Sequence, residues 1–208
     1  MAHSGYWEAV QLYHDALQSA ISRVTTAILL RRGPLPPGEG VGHLYLSEVR
    51  PLFGGSAINR AFSLEIRFRV VPTIGGEDRW DVQTFAYSYL LFRDDQEEVA
   101  YHWNDEADDA VAIRAPHAHF GKDLAHAGLP RKDRDRIGAL AAAHLPTGLV
   151  PFTAILRTAI RDFGAEPLRR QNESEMDARS NAARSFEKAE AALIQSFAWR
   201  TPPASGSD

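Results

Sequence analysis

Phe62, Leu64, Ile66, Phe68 and Val70 alternate with Ser63, Glu65, Arg67 and Arg69. Side chains on a strand point to opposite faces in turn, so this run has one apolar face and one polar face. Such a strand belongs in an antiparallel sheet that packs one side on a core and turns the other to water. The neighbouring segments read the same way. His43 to Val49 is a weaker strand. Trp80 to Phe92 is rich in Tyr and Phe on both faces and reads as a central strand. Asp94-Asp95-Gln96 reads as a hairpin turn, and Val99, Tyr101 and Trp103 mark the next strand. The acidic stretch Asp105 to Asp109 reads as a solvated turn, since it lacks the Gly and terminal Glu of a calcium loop. Val111 to Ala115 reads as a fifth strand, ended by Pro116.

Both flanks of this strand run are helical in pattern. Val10, Tyr13, Leu17, Ile21, Val24 and Ile28 recur at spacings of four and three, which predicts a long helix from about Tyr6 to Arg32. Gly33-Pro34 would stop it, with a loop to Gly42. Three further helices are expected, over Arg131 to Ala143, from about Thr147 to Phe163, and from about Glu173 to Trp199. Thr147 is the candidate cap of the middle one. Thr201 to Asp208 reads as a disordered tail. Strands segregated from helices argue for an α+β fold rather than a doubly wound parallel sheet. The expectation is one domain over residues 1–200. It would hold an antiparallel sheet of about five strands, flanked by a long N-terminal helix and two or three C-terminal helices.

Composition narrows the chemistry. The 208-residue chain has no cysteine, which excludes disulfides, Cys-ligated zinc, iron–sulfur clusters and a thiol nucleophile. No glycine-rich phosphate loop follows a strand, and no Gly-x-Ser-x-Gly elbow is present. No apolar run approaches the roughly 20 residues of a membrane span. No basic region followed by an apolar stretch opens the chain, so a cytoplasmic location without membrane contact is expected. The net charge of −4 gives no bulk attraction for nucleic acid.

What stands out is eight histidines. His117 and His119 form Pro-His-Ala-His-Phe. In an extended segment both rings face one side, with Cα atoms about 6.6 Å apart. Two imidazoles so placed supply an acid and a base, or ligate a metal. A tight hairpin through the acidic turn would place residue 111 opposite His102, leaving His102 about 20 Å from His117. Asp94 or Asp95 would then be the carboxylate that orients an imidazole. His144 precedes Leu145-Pro146-Thr147-Gly148 at an expected helix entrance, where it faces an anion or joins His117 across space. Arg114 and Lys122 are the candidate cations for a phosphate. Tyr87 and Tyr89 share a face of the central strand and read as core. His14 reads as a boundary residue beside the helix stripe.

Tyr87-Ser88-Tyr89, then a turn, then Tyr101-His102-Trp103, then Pro116-His117-Ala118-His119 resembles the TumE-type toxin family of bacterial toxin–antitoxin pairs. The resemblance covers roughly residues 80 to 120, and the family's Arg-Tyr-Asp triplet is absent here. It implies a cytoplasmic, toxin-like, RNA-directed protein with an antitoxin as partner, and it carries over to His117 and His119.

Three functions follow as expectations. The first is a metal-independent, ribonuclease-like enzyme without a cofactor, in which His117 and His119, helped by His144, act as base and acid. The second is a non-catalytic module whose long helices dock a partner and whose histidines are structural. The third is a metal-binding protein using His117, His119 and a carboxylate.

Overall fold

The computed structural model describes residues 5–32, 41–46, 50–51, 60–73, 79–93, 96–105, 115–121, 130, 143–163 and 165–197. Helix α1 spans Tyr6–Ile21 and is followed by strands β1 (Leu29–Arg32), β2 (Val41–Leu46), β3 (Arg50–Pro51), β4 (Arg60–Pro72), β5 (Trp80–Arg93), β6 (Gln96–Asn104), β7 (His117–Phe120) and β8 (Leu145–Pro146). Helices α2 (Phe152–Phe163) and α3 (Glu175–Ser196) close the order. The class is α+β with a single antiparallel sheet, as the alternation requires. Among the described residues the strands number eight rather than about five, in the order β1-β2-β4-β5-β6-β7-β8, with β3 paired to β4.

The alternation on β4 sets the layers. Phe62, Leu64, Ile66 and Phe68 are fully or almost fully buried and share one core with Val10 and Leu17 of α1, Phe152 and Leu156 of α2, and Phe186 and Leu193 of α3. All three described helices therefore pack on the same side of the sheet. Tyr87 and Tyr89 belong to this side, with rings stacked 4.3 Å apart. They are core, as expected. The Tyr87 hydroxyl accepts the Val150 backbone N–H at 3.0 Å, and burial first of all pushes its pKa up to about 12. Inside the same layer a hydroxyl chain joins three elements. Tyr13 Oη lies 2.7 Å from Thr84 Oγ1, which lies 2.7 Å from Ser196 Oγ.

Several boundaries differ from the sequence expectation, each for a local reason. The first helix ends at Ile21, and Leu29–Arg32, expected as its last turn, is the edge strand β1. The Gln18 side chain explains the break. Its amide donates to Ser22 Oγ at 2.8 Å and to the Ala27 carbonyl at 3.2 Å, and its oxygen accepts Leu29 N–H at 2.6 Å. One turn earlier, His14 Nε2 donates to the Leu29 carbonyl at 3.0 Å. Two side chains on one helix face thus hold both backbone groups of the first strand residue. Strand β2 begins at Val41, inside the expected loop.

The second C-terminal helix starts at Phe152 rather than near Thr147. Thr147 does not cap it, because the Thr147 N–H donates to the Pro116 carbonyl at 2.8 Å alongside the β7–β8 pairing. Helix α3 begins two residues later than expected. Ser174 caps it by accepting the Asp177 N–H at 3.1 Å. The described strand near the histidines starts at His117, directly after Pro116. Residues 111–114, the expected helix over 131–142 and the tail lie outside the described residues. Among the described residues no helix is long and apolar enough to cross a membrane.

Candidate functional site

The opposite face of the sheet is polar, and pairing arranges it in rows. Across six strands the partners run Tyr45, Glu65, Ser88, His102, His117 and Pro146. A neighbouring row runs His43, Arg67, Ala86 and Asn104. His102 is therefore the direct cross-strand partner of His117, not a residue at the far end of the sheet. The described strand that pairs with β6 begins at His117, so the register differs from that of a tight hairpin through the acidic stretch.

Four imidazoles meet here. The His102 ring lies 5.8 Å from His117 and 4.9 Å from His119, nearly parallel to the latter at 17°. His117 and His119 are 6.4 Å apart, and His144 lies 5.1 Å from His117 and 5.9 Å from His119, all between centroids. The extended backbone of β7 puts His117 and His119 on one side, as their spacing required. His144 joins them across space from the residue before β8. It does not stand at a helix entrance, since α2 begins at Phe152.

Partners fix some of the proton positions. His117 Nδ1 donates to the Ala115 carbonyl at 2.9 Å, which in the neutral ring leaves Nε2 with a lone pair. His119 Nδ1 lies 3.5 Å from Glu97 Oε1. Glu97 thus occupies the place expected for Asp94 or Asp95, both of which lie outside the described residues. Gly121 makes this approach possible. A Cβ there would overlap the Glu97 carbonyl, and its N–H donates to the Glu98 carbonyl at 2.9 Å. Burial of His102, and then the neighbouring imidazoles of His119, His117 and His144, push its pKa down to about 4. It is a neutral imidazole at neutral pH.

A cavity of about 160 Å³ opens beside the cluster, lined by Glu65, Arg67, Ser88, His102, Asn104 and His117 among others. Arg67 is a site residue that sequence reasoning passed over as one of the wet residues of an amphipathic strand. Its only sequence signal was its place on the polar face. Arg114 and Lys122, the expected phosphate cations, lie outside the described residues. His14 serves the α1–β1 junction, and His43 Nδ1 lies 3.8 Å from Glu65 Oε1 on the same polar face. Among the described residues no group of three or more histidine or carboxylate side chains is arranged to hold a metal ion. No family model, no curated protein and no solved structure matches this chain.

Proposed function

We propose that the histidine cluster is a general acid–base site for cleaving RNA, with the toxin-like role that the resemblance implies. One observation carries this reading: four imidazoles converge on the polar face, beside a cavity that an arginine also lines. His117 and His119 take the two proton-transfer roles. One removes the proton from a ribose 2′-hydroxyl, and the other protonates the departing 5′-oxygen. His117 suits the base role, because its Nδ1–H is held by a carbonyl and Nε2 keeps its lone pair. Glu97 Oε1, 3.5 Å from His119 Nδ1, orients that ring for the acid role. His102, its pKa pushed down by burial, stays neutral between them. His144 completes the cluster at its exposed rim. Arg67 offsets phosphate charge at the cavity, and Arg114 and Lys122 flank β7 in the sequence as further cations.

The test is incubation of the purified chain with a single-stranded ribo-oligonucleotide in the presence of a chelator. Products ending in a 2′,3′-cyclic phosphate are expected, at a rate that His117→Ala and His119→Ala each lower by about 100-fold or more. An intact oligonucleotide, or cleavage by both variants at the wild-type rate, removes the reading. Cleavage that appears only when a divalent metal is added supports the metal-binding alternative instead.

One observation favours the partner-binding alternative. Trp7 and Ile28 are 56% and 68% exposed beside edge strand β1. An exposed strand edge with apolar neighbours is where a partner protein adds a strand. In that reading the partner is an antitoxin-like protein, and co-expression with it would bury Trp7, read as a blue shift of tryptophan fluorescence.

A further inference from the structure

A β-bulge beside the cluster builds a second feature on the polar face. Between Arg67 and Phe68 the pairing of β4 with β5 slips, so that Arg67 faces Ala86 while Phe68 faces Thr84. Phe85 is the extra residue. It has no place in the core cluster that holds its neighbours Val82 and Tyr87, yet it is only 8% exposed. Its cover is two arginines from the facing strand. The Arg67 and Arg69 guanidinium carbons sit 5.8 Å and 5.1 Å from its ring centroid. A buried aromatic ring on a polar sheet face thus orders two planar cations two residues apart. Arg67 also lines the cavity that reaches His102 and His117.

We infer that Arg67 and Arg69, seated on Phe85, form a phosphate-binding track that leads a single-stranded RNA backbone along β4 into the histidine cluster. This deepens the proposed RNA-directed reading and rests on it. Guanidinium groups suit the task because their planar donors pair two phosphate oxygens at once, and an aromatic platform limits the entropy lost on binding. Same-face residues on a strand are about 6.6 Å apart, so each arginine meets its own phosphate. Glu65, which lines the same cavity, lies 3.8 Å from His43 Nδ1, and that imidazole offsets the carboxylate's repulsion of the backbone when protonated. The local track also explains how a chain of net charge −4 engages a polyanion.

The test separates binding from cleavage. A fluorescent single strand of about ten nucleotides with 2′-O-methyl sugars lacks the 2′-hydroxyl nucleophile, so its anisotropy reports binding alone. The wild-type chain is expected to bind it at low salt. Arg67→Gln/Arg69→Gln is expected to weaken binding about tenfold or more and to reduce the salt slope by about two, one per phosphate contact. Phe85→Leu, which keeps both charges but removes the platform, is expected to weaken binding by a smaller factor. Circular dichroism checks that each variant is folded, and Arg69→Gln alone serves if the double variant is not. No binding by the wild type overturns the track. So does undiminished binding by the folded arginine variants, or equal binding of an acidic polyglutamate peptide. Binding without cleavage of the matching ribo-oligonucleotide leaves the track and removes the acid–base reading. Cleavage that is indifferent to the arginines does the reverse.

Discussion

His102 stands directly opposite His117 on neighbouring antiparallel strands, with ring centroids 5.8 Å apart. The pairing turns a two-histidine motif into a four-imidazole cluster. It also places a ring that resists protonation among three other imidazoles.

That resistance has a pH signature. His102 titrates near 4 in the native chain and near its ordinary value of 6.5 when unfolded. Between these values the unfolded state binds the proton and the native state does not, so stability is full above about pH 6.5 and falls as pH drops toward 4. Allowing for the ring's partial exposure to water, the loss is about 1 kcal/mol. Thermal melts of the wild type and His102→Asn from pH 7 to pH 4 check this. The difference between their melting temperatures should change by about 2–4 °C across the window.

The cluster should also be graded by position. His144 is exposed and belongs to the rim, whereas His117 holds a fixed tautomer. His144→Ala is expected to lower kcat/KM for the ribo-oligonucleotide by about tenfold, against about 100-fold or more for His117→Ala. Equal losses at the two positions would show that the cluster acts as a single unit.

The hydroxyl chain from Tyr13 through Thr84 to Ser196 fastens α1 and α3 to the central strand. Burial first of all pushes the Tyr13 pKa up to about 12, so the phenol stays a neutral hydrogen-bonding group. Thr84→Val keeps the side-chain shape and leaves Tyr13 Oη without this partner. The expected cost is about 1–3 kcal/mol, measured by urea unfolding, with the histidine cluster unaffected.

Gly121 should tolerate no side chain. A Cβ would overlap the Glu97 carbonyl, so Gly121→Ala must move β7 away from β6. A destabilisation of about 1–3 kcal/mol is expected. Histidine ring signals in the NMR spectrum should shift together, because His102 and His119 would separate. Unchanged ring shifts in a destabilised variant would show that the cluster does not depend on this approach.

Local pattern was enough for the class, the layers and part of the site. Alternation on Phe62 to Val70 determined a sheet with one polar face, and the spacing of His117 and His119 put both rings on one side. Those properties depend only on neighbours along the chain. The end of α1 was different. The stripe through Val24 and Ile28 continues the helical spacing, and only the grip of Gln18 and His14 on Leu29 diverts that segment into the sheet.

Strand register likewise belonged to the tertiary structure. Moving the partner of His102 from residue 111 to His117 is an even-numbered slip, and an even slip leaves every side chain on its original face. The apolar pattern is therefore equally satisfied by both registers. The choice between them is made by the length of the β6–β7 connection, the close passage of Gly121 at Glu97, and the pairing of β7 with β8. The sequence by itself determined which residues face water. The tertiary structure decided that His102, His144 and Arg67 meet His117 there, because contacts between distant segments set the register of strands while side-chain alternation does not.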